Sequence, residues 1–176
     1  MTSKKINRIA RRKEMKRPKT AAAVAIICGA LLYFFSGKPL LSISWDPHEI
    51  NCLPELRLAL LLHFNPEDVK TGDYVFWKPE NELSYVKEDY VLKKVAGVPG
   101  DLLLIKDGRI LVNGIEVATG LQNAILYSKV PKDFERKTII PANSYFVIGT
   151  AQMSNDSRYW GFLVKKSIAG KGYRLL

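Results

Sequence analysis

The sequence predicts a mainly β chain, an antiparallel and partly closed fold carried behind one N-terminal transmembrane helix. Three observations lead there. Short runs rich in Val, Ile, Tyr, Phe and Trp recur after residue 56, with turn residues at close spacing between them. No sustained helical periodicity follows residue 63. One uncharged apolar run, Thr20–Phe35, stands directly behind a basic arm near the N-terminus.

The basic arm comes first. The net charge is +10, a balance that alone would suggest nucleic acid or anionic lipid. Residues 1–19 hold nine Lys or Arg and one acid, Glu14, so the arm carries +8 and the other 157 residues only +2. The body is nearly neutral, and no nucleic-acid partner is expected. The run that follows reads TAAAVAIICGALLYFF. Sixteen helical residues span about 24 Å, a little short of a ~30 Å hydrocarbon core. Snorkelling by Lys19 and Lys38, or extension to Leu40 and Leu41, makes up the difference. Tyr33, Phe34 and Phe35 sit where an aromatic belt belongs, and the basic flank predicts a cytoplasmic N-terminus with an exported body. A cleavable signal peptide is the alternative, and the bulky aromatics argue for a retained anchor. The expected organisation is a basic arm over residues 1–19, an anchor and linker over 20–41, and an exported domain over 42–176.

Within that domain the elements follow in order. Leu56–His63 is apolar and reads as strand or short helix; Asp73–Trp77 and Tyr90–Val95 read as strands. Glu80–Asp89 is acidic and polar, and reads as a surface loop. Leu102–Ile105 and Ile110–Val112 flank an Asp-Gly turn, and Asn113-Gly114 leads at once into Ile115–Val117. Tyr145–Ile148 is a strand ending at Gly149, and a C-terminal stretch holds Ile168 and Tyr173 around Gly170 and Gly172. Cys28 lies inside the apolar run and Cys52 outside it, so no intramolecular disulfide is expected. A lone thiol in an oxidising compartment needs a reason.

Two segments carry chemistry. In Lys93–Asp101, KKVAGVPGD, adjacent strand residues face opposite ways, so one lysine of the pair faces inward. An amine pressed against apolar neighbours is costly while charged, and a neutral lysine amine can act as a general base. Two exposed lysines on an edge strand are the ordinary alternative. In Ser154–Gly161, SNDSRYWG, Asp156 can pair with Arg158, and Ser157 can bond a base or the backbone. An ordinary polar turn is the alternative there.

Together these segments resemble the type I signal peptidase family. Its pattern is Lys-Arg-Val-x-Gly-x-Pro-Gly-Asp, then Gly-Asp-Asn-x-Ser-x-Asp-Ser-Arg-x-x-Gly. The segments TGDYVFW, GDLLLIKDGRILVNGIEV and IPANSYFVIGT resemble the family too, so the likeness runs over roughly residues 50–165 and the anchor. It implies a signal-peptidase-like β-fold, Lys93 as general base, and Asp156, Ser157 and Arg158 as the network supporting that base. Gly149-Thr150 stands where the family has Gly-Asp, a departure expected to loosen the network. The short spacing from Gly149 to Ser154 is closer to the conjugative-transfer subgroup, TraF. That subgroup implies a membrane-bound peptidase of the inner membrane, acting on the periplasmic side on exported pre-proteins. Its substrate would have small residues before the cut, a pre-pilin working with conjugation machinery.

Two residues compete for the nucleophile. Ser44-Trp45-Asp46-Pro47 matches the family's Ser-x-x-Pro, and Cys52-Leu53-Pro54 matches the subgroup's Ser-x-Pro with Cys for Ser. Spacing favours Cys52, since an apolar strand begins almost directly after Pro54. A thiol, with a pKa of about 8.5, gives up its proton more readily than a hydroxyl. A Cys-His pair with His48 or His63 is a formal alternative. No Cys/His cluster has metal-ligand spacing and no Gly-rich loop would cradle phosphate, so neither metal nor cofactor is expected. The departures at the nucleophile leave a second function open. A non-catalytic relative would bind extended peptides at a sheet edge within a secretion or conjugation assembly.

Overall fold

Inward and outward residues alternate along most strands of the computed structural model, which describes residues 22–30, 40–46, 52–64, 66–79 and 90–175. The chain divides into two units, residues 1–39 and 40–176. In the first, residues 22–30 are helical and exposed. No helix among the described residues is long and apolar enough to cross a membrane. The rest of the expected anchor up to residue 39, the arm over 1–19, His48 and the expected loop Glu80–Asp89 lie outside the described residues.

The second unit is antiparallel β, as the turn spacing predicts. Its larger sheet has seven strands in the order β1-β2-β11-β3-β4-β9-β10. These are β1 Leu41–Trp45, β2 Leu58–His63, β3 Tyr74–Trp77, β4 Val91–Gly97, β9 Ser144–Ile148, β10 Leu163–Val164 and β11 Ile168–Arg174. The smaller sheet runs β7-β6-β5-β8, with β5 Leu102–Lys106, β6 Arg109–Val112, β7 Ile115–Thr119 and β8 Arg136–Ile139. Its two hairpins form where Asp107-Gly108 and Asn113-Gly114 turn the chain. All four residues take positive φ, the geometry of a type I′ turn.

Neither sheet closes, contrary to the partly closed fold expected. The strands segregate by pairing: β5–β8 bond only with one another, while β1 and the two-residue β10 end the larger sheet. The sheets share side chains instead. Leu103, Ile105, Ile110 and Val112 of the small sheet pack with Phe146 and Ile148 of β9. Val75, Val95 and Val147 fill the middle of the larger sheet. Each is fully buried, and each contributes about 1.5–3 kcal/mol by leaving water. A third cluster sets Leu53, Leu56, Ala59 and Leu61 against Phe76, and so fixes the turn before β2.

Candidate active site

Strand parity brings Lys93 inside. In β4, Val91, Lys93 and Val95 share one buried face, while Leu92 and Lys94 point the other way and stay half-buried. Register sets Lys93 beside Val75 of β3. Only 3% of its surface is exposed, and its Nζ donates to Ser154 Oγ at 3.0 Å. Among the described residues no carboxylate pairs with it. Ser154, 1% exposed, opens the SNDSRYWG segment, and reasoning from the sequence missed it as a site residue. Its place two residues before the Asp-Ser-Arg triplet was the available signal.

The triplet itself is a buried staple. Asp156 caps the single-turn helix Ser157–Trp160, accepting from Arg158 N–H at 3.2 Å. Its other oxygen accepts from Gly149 N–H at 2.9 Å, tying the end of β9 to that helix. Ser157 Oγ accepts from Val147 N–H at 3.0 Å. The Arg158 fork donates to Asp156 at 2.8 and 2.9 Å, to the Ser154 carbonyl at 3.0 Å, and to the Thr119 and Gly120 carbonyls at 3.2 Å each. Burial works against the Arg158 charge, but the Asp156 carboxylate outweighs it and the net shift is upward. Arg136, also unforeseen, donates to the Ser157 and Arg158 carbonyls from β8 at 2.8 and 3.2 Å.

Cys52 belongs to the same neighbourhood. Its carbonyl accepts from Ala151 N–H at 3.2 Å, inside the loop that runs from Gly149 to Ser154. A Cβ added at Gly149 would overlap Ser154 Oγ and sit 2.6 Å from the Cys52 oxygen, so glycine allows the two segments to close. The thiol is half-buried, unpaired with Cys28, and near enough to Arg158 to add to that residue's upward shift. Among the described residues it makes no hydrogen bond to Lys93, whose amine is held by Ser154. Free enzymes often hold such pairs loosely. The loop is not slack at the Gly-Thr departure: Thr150 Oγ1 donates to Glu55 Oε2 at 2.5 Å.

Ser44 is brought nowhere near. It lies in β1, paired with Ala59 of β2, at the edge of the larger sheet. Three strands separate β1 from β4, a spacing of about 19 Å. Register also points it the other way, since Ser44 shares the face of Ala59 and Leu61, whereas Lys93 aligns through Val75 and Lys171 with Leu62. His63 serves the same edge, its Nε2 2.7 Å from Ser42 Oγ. No group of three or more metal-ligating side chains occurs among the described residues.

Comparison with known proteins gives a family by sequence. The sequence model of the family described as "Signal peptidase, peptidase S26" matches residues 15–175. Signal peptidase I of Leptolyngbya laminosa is 29% identical over 114 residues, covering 62% of this chain and 52% of that protein. Signal peptidase I of Bacillus caldolyticus is 36% identical over 95 residues, covering 48% and 52%. The crystal structure of a signal peptidase I from Enterococcus faecalis V583 superposes with a TM-score of 0.38 at 23% identity. That match covers 60% of this chain and 97% of the other. The chain spans about half the length of the curated relatives it matches.

Proposed function

The chain belongs to the signal peptidase S26 family, and from that premise we propose that it cuts exported pre-proteins, with Cys52 as nucleophile and Lys93 as general base. The observation that carries this is the buried amine of Lys93, without a carboxylate partner among the described residues, beside the loop that grips Cys52. A buried, unpaired amine is suited to take a proton from a neighbouring nucleophile. The Cys52 thiol gives its proton to Lys93 Nζ, and its sulfur attacks the scissile carbonyl carbon. The carbon–nitrogen bond then breaks, the leaving amine takes the proton from Lys93, and a thioester remains on Cys52. Water, or a peptide amine, attacks that thioester with its proton passing to Lys93, and the thiol is restored. Asp156, Ser157 and Arg158 act through Ser154, holding the amine in place.

The finer reading is a conjugative-transfer peptidase that matures a pre-pilin. The Cys52-Leu53-Pro54 turn leading directly to β2, and the short loop from Gly149 to Ser154, support it. In that reading residues 1–19 are cytoplasmic, 20–41 anchor the chain in the inner membrane, and 42–176 form the periplasmic domain. The outer face of β1 supports membrane placement. It begins five residues beyond the apolar segment and exposes Leu41, Ile43 and Trp45 at 50, 66 and 71%.

A reporter pre-protein with small residues before the cut tests the chemistry. Cys52→Ala and Lys93→Ala lose processing by on the order of 10³-fold or more, while their circular dichroism stays that of the wild type. Cys52→Ser keeps measurable activity, and Ser44→Ala cleaves like the parent. Full cleavage by Lys93→Ala overturns the mechanism, and peptide binding without cleavage by the wild type establishes the non-catalytic alternative.

A further inference from the structure

The loop 149–154 spans the two reacting residues of that reading. At its far end Ser154 Oγ holds Lys93 Nζ at 3.0 Å. At its near end Ala151 N–H holds the Cys52 carbonyl. Just before Ala151, Thr150 Oγ1 donates to Glu55 Oε2, and Tyr74 Oη donates from β3 to Glu55 Oε1 at 3.2 Å. One carboxylate therefore joins the Cys52 turn, the bridging loop and the strand next to β4.

We propose that Glu55 is a positioning residue, whose carboxylate clamps the Cys52 turn to Thr150 and Tyr74 and so fixes the thiol's distance from Lys93. The proposal rests on Cys52 and Lys93 being the reacting pair. The turn needs such a clamp on its polar side. Leu53 and Leu56, 5 and 4% exposed, pin its apolar side into the core. Pro54 is exposed and Cys52 only half-buried, so with the Ala151 bond to the Cys52 carbonyl as the sole other polar tie described, the turn can pivot about those leucines. Hydroxyl bonds to a carboxylate are short and stronger than neutral ones. Burial, then the Glu55 charge, raise the Tyr74 pKa and keep its hydroxyl a donor. Thr150, standing where the family pattern has Asp, is what lets a carboxylate approach from the opposite side. An Asp there would set two anions face to face.

The test uses the full-length chain in detergent micelles with the same reporter pre-protein. Glu55→Ala and Thr150→Val each lower kcat by about ten-fold or more with little change in KM, since misplacement by ~1 Å can cost 10²-fold. The double variant loses no more than the worse single one. Glu55→Gln, which retains an acceptor for both hydroxyls, recovers kcat to within about three-fold. Iodoacetamide alkylation of Cys52, in a Cys28→Ser background and followed against pH, reports position independently of processing. The clamp variants displace that profile, and Glu55→Gln restores it. A tie that merely stiffens the fold lowers Tm and leaves the profile where the wild type has it, which overturns the proposal. So does wild-type kcat in Glu55→Ala while Cys52→Ala is inactive. Processing retained by Cys52→Ala sinks the nucleophile assignment instead, and the clamp with it. Should Glu55→Ala fail to fold, Thr150→Val and Glu55→Gln carry the comparison.

Discussion

Arg158 uses all five of its N–H donors inside the protein, three toward Asp156 and Ser154 and two toward the end of β7 at Thr119 and Gly120. A guanidinium that is 1% exposed and so fully bonded leaves an uncompensated charge when its partner goes. Arg158→Ala and Asp156→Ala are each expected to cost about 3–5 kcal/mol of stability, read from denaturant unfolding. The double variant should be less damaging than the two singles added, because neither charge is then left alone. This pair was legible in the sequence, since an Asp and an Arg two apart around a Ser can reach each other in any tight turn. Ser154 was not. Its place two residues before the Asp-Ser-Arg triplet was a signal, but nothing local says that its hydroxyl will meet an amine 61 positions earlier. Ser154→Ala should lower both stability, by about 1–3 kcal/mol, and processing, by removing the hydrogen bond that orients Lys93 Nζ.

Strands of mixed burial defeated sequence reading where alternation was weak or charged. The Asp-Gly and Asn-Gly hairpins were plain, because those dipeptides demand positive φ whatever surrounds them. β8, reading RKTI, looks like surface and is a paired strand whose Arg136 serves the site. β1 was not expected as a strand: the linker was expected to end at Leu41, and Ser44 was singled out only for its Ser-x-x-Pro match. Pairing with β2 overrides that local signal, and the β1–β2 edge has its own titration. His63 packs edge-on against Phe76 and Tyr90, with ring centroids at 4.9 and 5.4 Å, and burial lowers its pKa from the ordinary 6.5. As pH falls the unfolded chain takes that proton first. The stabilisation is whole above 6.5 and is lost as pH drops through the lower folded value. Between about pH 7 and about pH 5 the wild-type Tm should fall more steeply than that of His63→Gln. Parallel curves would mean the ring does not contribute. Gly149→Ala, at the end of β9, should cost processing more than stability. Its methyl group displaces Ser154 and the Cys52 backbone together.

At the scale of the whole molecule, the three apolar clusters among the described residues lie within residues 40–176. None of their described members comes from before residue 40, which predicts that the body folds without that segment. The arm and the apolar run carry +8 and sixteen uncharged residues, features that in the proposed reading serve a bilayer. These two facts separate folding from placement. A chain beginning at Leu40 should unfold in one cooperative denaturant transition and appear in the soluble fraction, while the full-length chain sediments with membranes. Both should cleave a soluble peptide substrate at similar rates. On a pre-protein held in vesicles the truncated chain should be slower by roughly ten-fold or more, because tethering replaces a bimolecular encounter with a local concentration near millimolar. Equal rates on the vesicle-bound substrate would mean that the segment before Leu40 adds nothing to the encounter. Loss of the cooperative transition would mean that the segment belongs to the fold after all.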